Sequence, residues 1–201
     1  MKDKSNYNNQ LIGITFSKPS SWYFVSKKHI QYNRRKQILA EESKNGMEDF
    51  DMSKDELLKI LGDPLCVMTK YDQNDVSSRG TFSPTITVQA TLKETVLGLW
   101  GNKTFEDVIN SSRSNISDLL EDFKMVKEYG QSNIDGKKAY EFECSYTFKH
   151  EDLHKPITVR MNSIKIETDK FFIDINCHGS LQVNEPCEEE LRTFINSLKL
   201  R

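Results

Sequence analysis

From Ala139 to Phe148 the chain alternates strictly, with Tyr140, Phe142, Cys144, Tyr146 and Phe148 set against Ala139, Glu141, Glu143, Ser145 and Thr147. Side chains of a strand point to opposite faces with a period of two, so this pattern predicts one long half-buried strand. Asn133-Ile134-Asp135-Gly136 supplies a turn ahead of it. After the polar loop His150 to Lys155, a second run carries Ile157, Val159 and Met161 on odd positions, then Ile164 and Ile166 on even ones. The switch of parity predicts a β-bulge near Asn162 and Ser163, because one extra residue would keep both halves on a single buried face. A third run, Phe171, Ile173, Ile175 and Cys177, follows the turn at Thr168-Asp169-Lys170. The simplest arrangement of these runs is an antiparallel meander.

Earlier in the chain, Ile12, Ile14 and Phe16 suggest a first strand and Leu65 to Thr69 another. Ile86, Val88, Ala90 and Leu92 alternate with Thr85, Thr87, Gln89, Thr91 and Lys93, which predicts a further one. Helices are marked by their caps. Ser53 and Glu56 form a capping-box pattern before Leu57, Leu58, Ile60 and Leu61, and Gly62 with Pro64 stops that helix early. The main helix starts at Thr104 and spaces Phe105, Val108, Ile109, Ser112, Ile116, Leu119, Leu120 and Phe123 along one face. A last helix begins near Pro186, places Glu188, Glu189 and Glu190 in its first turn, and buries Leu191, Phe194, Ile195 and Leu198. A thin stripe of Ile30, Ile38 and Leu39 predicts a weaker helix from Ser26 to Glu42.

Size and charge narrow the classes. At 201 residues the chain can bury an ordinary core without staples. A net charge of -2 argues against a dedicated nucleic-acid binder, which usually carries a basic excess. Met1 to Gln10 are polar, and read as a flexible tail (1–10) ahead of a single domain (11–201), with neither a signal peptide nor a membrane span. That reading places the protein in the cytoplasm, or outside it if a leader has been removed. Cys66, Cys144, Cys177 and Cys187 lack the paired short spacings of a zinc site and are too sparse for a disulfide scaffold, so reduced thiols are expected.

Several landmarks together resemble the PsbP-like family, which includes the photosystem accessory protein PsbP, Mog-type Ran-binding proteins and uncharacterised bacterial relatives. They are Gly13-Ile14-Thr15-Phe16 followed by Pro19 and Trp22, Pro84-Thr85-Ile86-Thr87-Val88, the long helix, Ile134-Asp135-Gly136 with Tyr140, and the closing Phe194-Ile195-Asn196-Ser197-Leu198. The resemblance implies an α+β fold, an antiparallel sheet with packed helices in an α/β/α sandwich. It also implies a non-enzymatic protein that works by binding, with no shared active site to carry over. The polar segment from Lys27 to Asp51 departs from the compact early hairpin of that pattern.

Candidate chemistry is sparse, and no catalytic, cofactor-binding or metal-ligating residue is assigned. Glu141 and Glu143 point the same way, with Arg160 opposite on the next strand. An enzyme would need one of these carboxylates desolvated, whereas cross-strand charge pairing accounts for them on an exposed face. His150, Asp152 and His154 alternate along a loop without a third firm metal ligand or an outer shell. Cys177 and His178 fall on opposite strand faces, with Cys187 beyond. Arg34-Arg35-Lys36 is followed closely by Glu41 and Glu42, as on a solvated helix face.

The apolar residues Val96, Leu97, Leu99 and Trp100 fall in a connection, which normally runs over the surface. Capping of the core explains most such residues. A partner-binding patch is the sharper alternative, since Trp anchors are enriched at interface hot spots. Leu97, Leu99 and Trp100, with Arg79 and Phe82 of the loop Asp72 to Ser83, form the candidate contact set for a protein partner. The function expected is a non-enzymatic binding or assembly module. Its rival is an enzyme or metal-dependent protein using the Glu141/Glu143 face or the His150–His154 loop.

Overall fold

A computed structural model describes residues 5–32, 63–72, 74–78, 80–99, 101, 104–150, 153–181 and 187–201. Two antiparallel sheets organise them. The larger has seven strands in the order β3-β4-β5-β9-β8-β7-β6: β3 is Tyr23–Phe24, β4 Cys66–Thr69, β5 Thr85–Leu92, β6 Lys124–Ile134, β7 Lys137–Phe148, β8 Ile157–Glu167 and β9 Phe171–Ser180. The smaller has β1 (Asn6–Asn9), β2 (Ile14–Ser17) and β10 (Lys199–Leu200) in the order β1-β2-β10. Strand β1 lies inside the stretch read as a tail, and pairs with β2 from Asn6 opposite Ser17 to Asn9 opposite Ile14. The helices packed on the large sheet include α1 (Lys93–Leu99), α2 (Phe105–Leu119) and α3 (Glu188–Asn196).

The meander has four strands rather than three, because β6 and β7 form a hairpin ahead of β8 and β9. Its turn is the Asp135-Gly136 pair, with φ of 49° and 80°. Two consecutive positive φ values give the backbone twist a two-residue hairpin needs, and Asp-Gly accepts them at little cost.

No bulge occurs at Asn162 and Ser163, contrary to the expectation from parity. Pairing runs straight through both residues, with Glu143 opposite Asn162 and Phe142 opposite Ser163 on one side, and Cys177 and Asn176 opposite them on the other. The two halves of β8 therefore face opposite layers, and both faces of the sheet are covered. Val159 and Met161 pack with Phe142, Cys144 and Tyr146. Ile164 and Ile166 join Ile173, Ile175, Ile86 and Val88 on the other face.

That second face holds the main core. Helix α3 lays Phe194 on it, followed by Leu198, while the smaller sheet adds Ile14, Phe16 and Leu200 and the loop before β3 adds Trp22. Helix α2 covers the first face, which makes this an α+β fold with helices on both sides of an antiparallel sheet, the arrangement the PsbP resemblance implies. Thr104 caps α2, as its sequence predicts, and the structure adds a capping box with Asp107. The helix ends at Leu119, one turn short of the apolar stripe, yet Leu120 and Phe123 still pack beside Phe142 and Met161. Glu188, Glu189 and Glu190 occupy the first turn of α3.

Residues 27–32 are helical, in keeping with the weak helix expected there; the rest of that helix and the one expected from Ser53 lie outside the described residues. Among the described residues no helix is long and apolar enough to cross a membrane.

Candidate functional site

The expected contact set turns inward where it is described. The connection after β5 is the helix α1, not an irregular loop. Val96 of α1 is buried against Phe105, Val108, Ile109 and Phe172, and half-buried Leu97 packs beside them. Leu99 closes α1, while Trp100 and Arg79 lie outside the described residues. Phe82 meets Phe148 edge to face, with centroids 5.6 Å apart, and packs on the cluster around Tyr146. Leu97 and Phe82 thus act as core caps, because the helices over the first face need apolar flanks to seal them.

The carboxylate pair is not on an open face. Glu143 is only 5% exposed, since its face is the α3 side of the sheet. Arg160 pairs with it and reaches Glu188 of α3 at 3.4 Å. Glu141 accepts a hydrogen bond from Ser132 Oγ at 2.8 Å. His150 stacks on Phe148 at 6.2 Å, and Asp152 is outside the described residues. Among the described residues no group of three or more His, Cys, Asp or Glu side chains is placed to hold a metal ion. Arg34, Arg35 and Lys36 also lie outside the described residues.

Cys177 and His178 do point to opposite faces. Cys177 and Cys187 sit in the main core, and burial pushes the Cys177 thiol up to about 12. Cys144 is likewise buried and pushed up to about 11, an inert thiol at neutral pH. His178 lies on the α2 side, where its Nδ1 is 3.1 Å from the Tyr146 hydroxyl. Burial disfavours the charged imidazolium and lowers its pKa to about 4, while the same desolvation raises the Tyr146 phenol to about 12.

A concavity lies under the middle of α2. It encloses about 150 Å³ and is lined by Ile109, Ser112, Arg113 and Ile116 of the helix and by six residues of the sheet beneath. Tyr140 and Phe142 come from β7, Ser163 and Lys165 from β8, and Asp174 and Asn176 from β9. Register explains the gathering: Tyr140 faces Lys165, Lys165 faces Asp174, Phe142 faces Ser163 and Ser163 faces Asn176, so all six lie on one face. Lys165 pairs with Asp174, and Ser163 Oγ donates to Asn176 Oδ1 at 2.7 Å. At the rim Arg113 donates to the Tyr140 hydroxyl at 3.2 Å and pairs with Glu128 of β6.

Of the polar groups, Ser112 and Tyr140 belong to patterns read from the sequence, Ser112 among the apolar positions of the helix stripe and Tyr140 in the alternation of β7. A serine followed by an arginine on the face that must be buried was the available signal.

No family model matches the sequence, and no curated protein matches it. Among solved structures, LpqN of Mycobacterium tuberculosis, involved in cell envelope biogenesis, aligns over 93% of this chain and 82% of its own at 13% identity, with a TM-score of 0.54. Cyanobacterial PsbP of Synechocystis sp. PCC 6803 aligns over 98% of this chain and 91% of its own at 12% identity, with a TM-score of 0.49. A putative regulator of unknown function from Pseudomonas aeruginosa covers 59% of this chain and 74% of its own at 15% identity, with a TM-score of 0.47. The likeness to LpqN shows a shared fold.

Proposed function

We propose that this protein is a non-enzymatic binding or assembly module that engages a protein partner. The observation that carries the reading is the state of the carboxylates an enzyme would use. Glu143 is held by Arg160, and Asp174, the carboxylate that faces the cavity, is held by Lys165. A carboxylate that acts as a general acid or base must be free to reach a substrate proton, and both of these are engaged by a neighbouring cation. The Ran-binding branch of the resemblance receives no support from the structural neighbours.

The surface we assign to the partner is the outer strand β6. It forms one edge of the large sheet, is 11 residues long, and its Met125 and Val126 are 38% and 50% exposed. Exposed Lys124, Lys127 and Glu128 flank them, which gives an apolar centre with a charged rim. Register shifts at Met125/Lys127 and Glu128/Gly130 break the edge, which guards it against indiscriminate strand pairing.

Val126→Asp is the test. The variant should keep its stability within about 0.5 kcal/mol, as expected for a surface site, and should lose a protein that wild-type bait captures from extracts of the source organism. Equal capture by both baits, or capture of nothing by the wild type, would contradict the proposal.

A further inference from the structure

We infer that the cavity beneath α2 binds a small uncharged alcohol with a compact apolar body, of phenol size, independently of the partner surface on β6. Charge makes the first selection. Lys165 pairs with Asp174 on the floor, and Arg113 at the rim pairs with Glu128 and donates to the Tyr140 hydroxyl at 3.2 Å. Each cation of the lining thus already has its carboxylate. The Lys165 and Asp174 side chains are only 18% and 23% exposed, so water screens their charges weakly. An entering anion meets Asp174 and must take Lys165 from it, while an entering cation meets Lys165 and must take Asp174. Either exchange leaves one largely buried charge uncompensated, which is strongly unfavourable. An uncharged ligand leaves both pairs intact.

The floor also sets the polar group of the ligand. A carboxylate has about four lone-pair sites, so Asp174 accepts a further hydrogen bond while it keeps its ammonium. Ser163 Oγ donates to Asn176 Oδ1 at 2.7 Å, and its own lone pairs accept as well. Acceptors and an ammonium therefore lie side by side beneath the helix. A hydroxyl suits this dipolar floor, because it donates to one member and accepts from the other without carrying charge. Its bond to the carboxylate is of the stronger, charge-assisted kind.

Volume and walls set the body. Helix α2 is seated at its start by Phe105, Val108 and Ile109 around Phe172, and near its end by Ile116 and Leu120 beside Phe142 and Met161. These two seats hold the helix off the polar floor between them and keep the cavity open. It encloses about 150 Å³, the volume of an engineered cavity that takes up benzene. Ile109, Ile116 and Phe142 supply the apolar part of its lining. Water satisfies the floor yet gains nothing from these side chains, whereas an apolar body with one hydroxyl uses both, the general form of a small-molecule site.

Phenol is the probe, with toluene, benzoate and benzylamine as its apolar, anionic and cationic counterparts at neutral pH. Followed by amide NMR on the full chain, phenol should give saturable shifts at Ser163, Lys165, Asp174 and Asn176, and each of the other three should bind at least about tenfold more weakly. Ser112→Leu fills the cavity from the helix side without touching the charged floor. It should abolish the phenol shifts while the melting temperature is held or raised. Replacing both members of the floor pair, Lys165→Met together with Asp174→Leu, leaves no charge unpaired, and such exchanges of a buried pair for apolar residues are commonly tolerated. Toluene should then bind more tightly than phenol. Absence of saturable phenol shifts into the millimolar range, binding of toluene, benzoate or benzylamine to the wild type as tight as that of phenol, undiminished binding to folded Ser112→Leu, or a folded double variant that still prefers phenol would overturn the inference.

Discussion

Phe172→Ala should cost about 3 to 5 kcal/mol. Phe172 is 1% exposed at the start of β9, and its ring stacks on Phe105 with centroids 5.6 Å apart. Val96 of α1 and Val108 and Ile109 of α2 close around it, and the Lys93 ammonium lies 5.5 Å from the ring centre. One side chain thus seats both helices on the sheet. Urea melts of wild type and mutant should differ in midpoint at a similar slope, since the surface exposed on unfolding hardly changes. Phe172→Leu, which keeps most of the volume, should lose far less. A loss below about 1 kcal/mol for the alanine variant would mean that α1 and α2 do not rest on this ring.

Acid should weaken the fold through His178, by about 2 kcal/mol at pH 5 relative to pH 7.5. The folded-state pKa is lowered from 6.5 to about 4 by desolvation. The unfolded chain therefore takes up a proton that the folded chain refuses, and stability is full above about pH 6.5 and falls as the pH drops toward 4. His178 faces Met161 of β8 and Thr85 of β5 across its two ladders, with the Tyr146 hydroxyl at 3.1 Å as its polar partner. None of these groups carries a charge in that pH range, so none compensates the imidazolium. Melts at pH 7.5 and pH 5 on wild type and His178→Asn isolate the effect, because the carboxylates titrate in both proteins. The wild type should lose more than the variant by this amount, and equal losses would remove His178 as the cause.

How far the sequence revealed the fold depends on what each residue faces. Strand β7 was plain because Tyr140, Phe142, Cys144, Tyr146 and Phe148 alternate over its whole length. Strand β8 was equally plain as a strand, yet its change of parity had two physical solutions. A bulge would rescue a one-sided sheet, and a second covering layer needs no rescue; only tertiary packing chooses between them, and here α2 and α3 cover both faces. Strand β6 escaped notice because an edge strand buries little, and Lys124-Met125-Val126-Lys127-Glu128 carries no clean period. Helix α1, only 7 residues long, is too short to show a helical stripe.

The cavity was legible only in fragments. Ser163 and Lys165 interleave with Ile164 and Ile166, and Asp174 and Asn176 with Ile173 and Ile175, which on sequence alone is the pattern of a strand with one face in water. They face a helix instead, because Phe172 and Phe142 hold α2 down on either side of them. A polar face roofed by a helix cannot be told from a polar face in solvent until the roof is placed. Ser112 and Arg113 on the buried stripe of that helix were the sign that the roof and floor match.

The measurement that bears most directly on the binding account is hydrogen exchange on the full chain, alone and in complex with the captured partner. Engagement at the edge should slow exchange from Lys124 to Gly130 and leave the central strands β8 and β9, already protected by both ladders, unchanged. Unaltered exchange along β6, with new protection confined to other segments, would contradict the assignment of that surface.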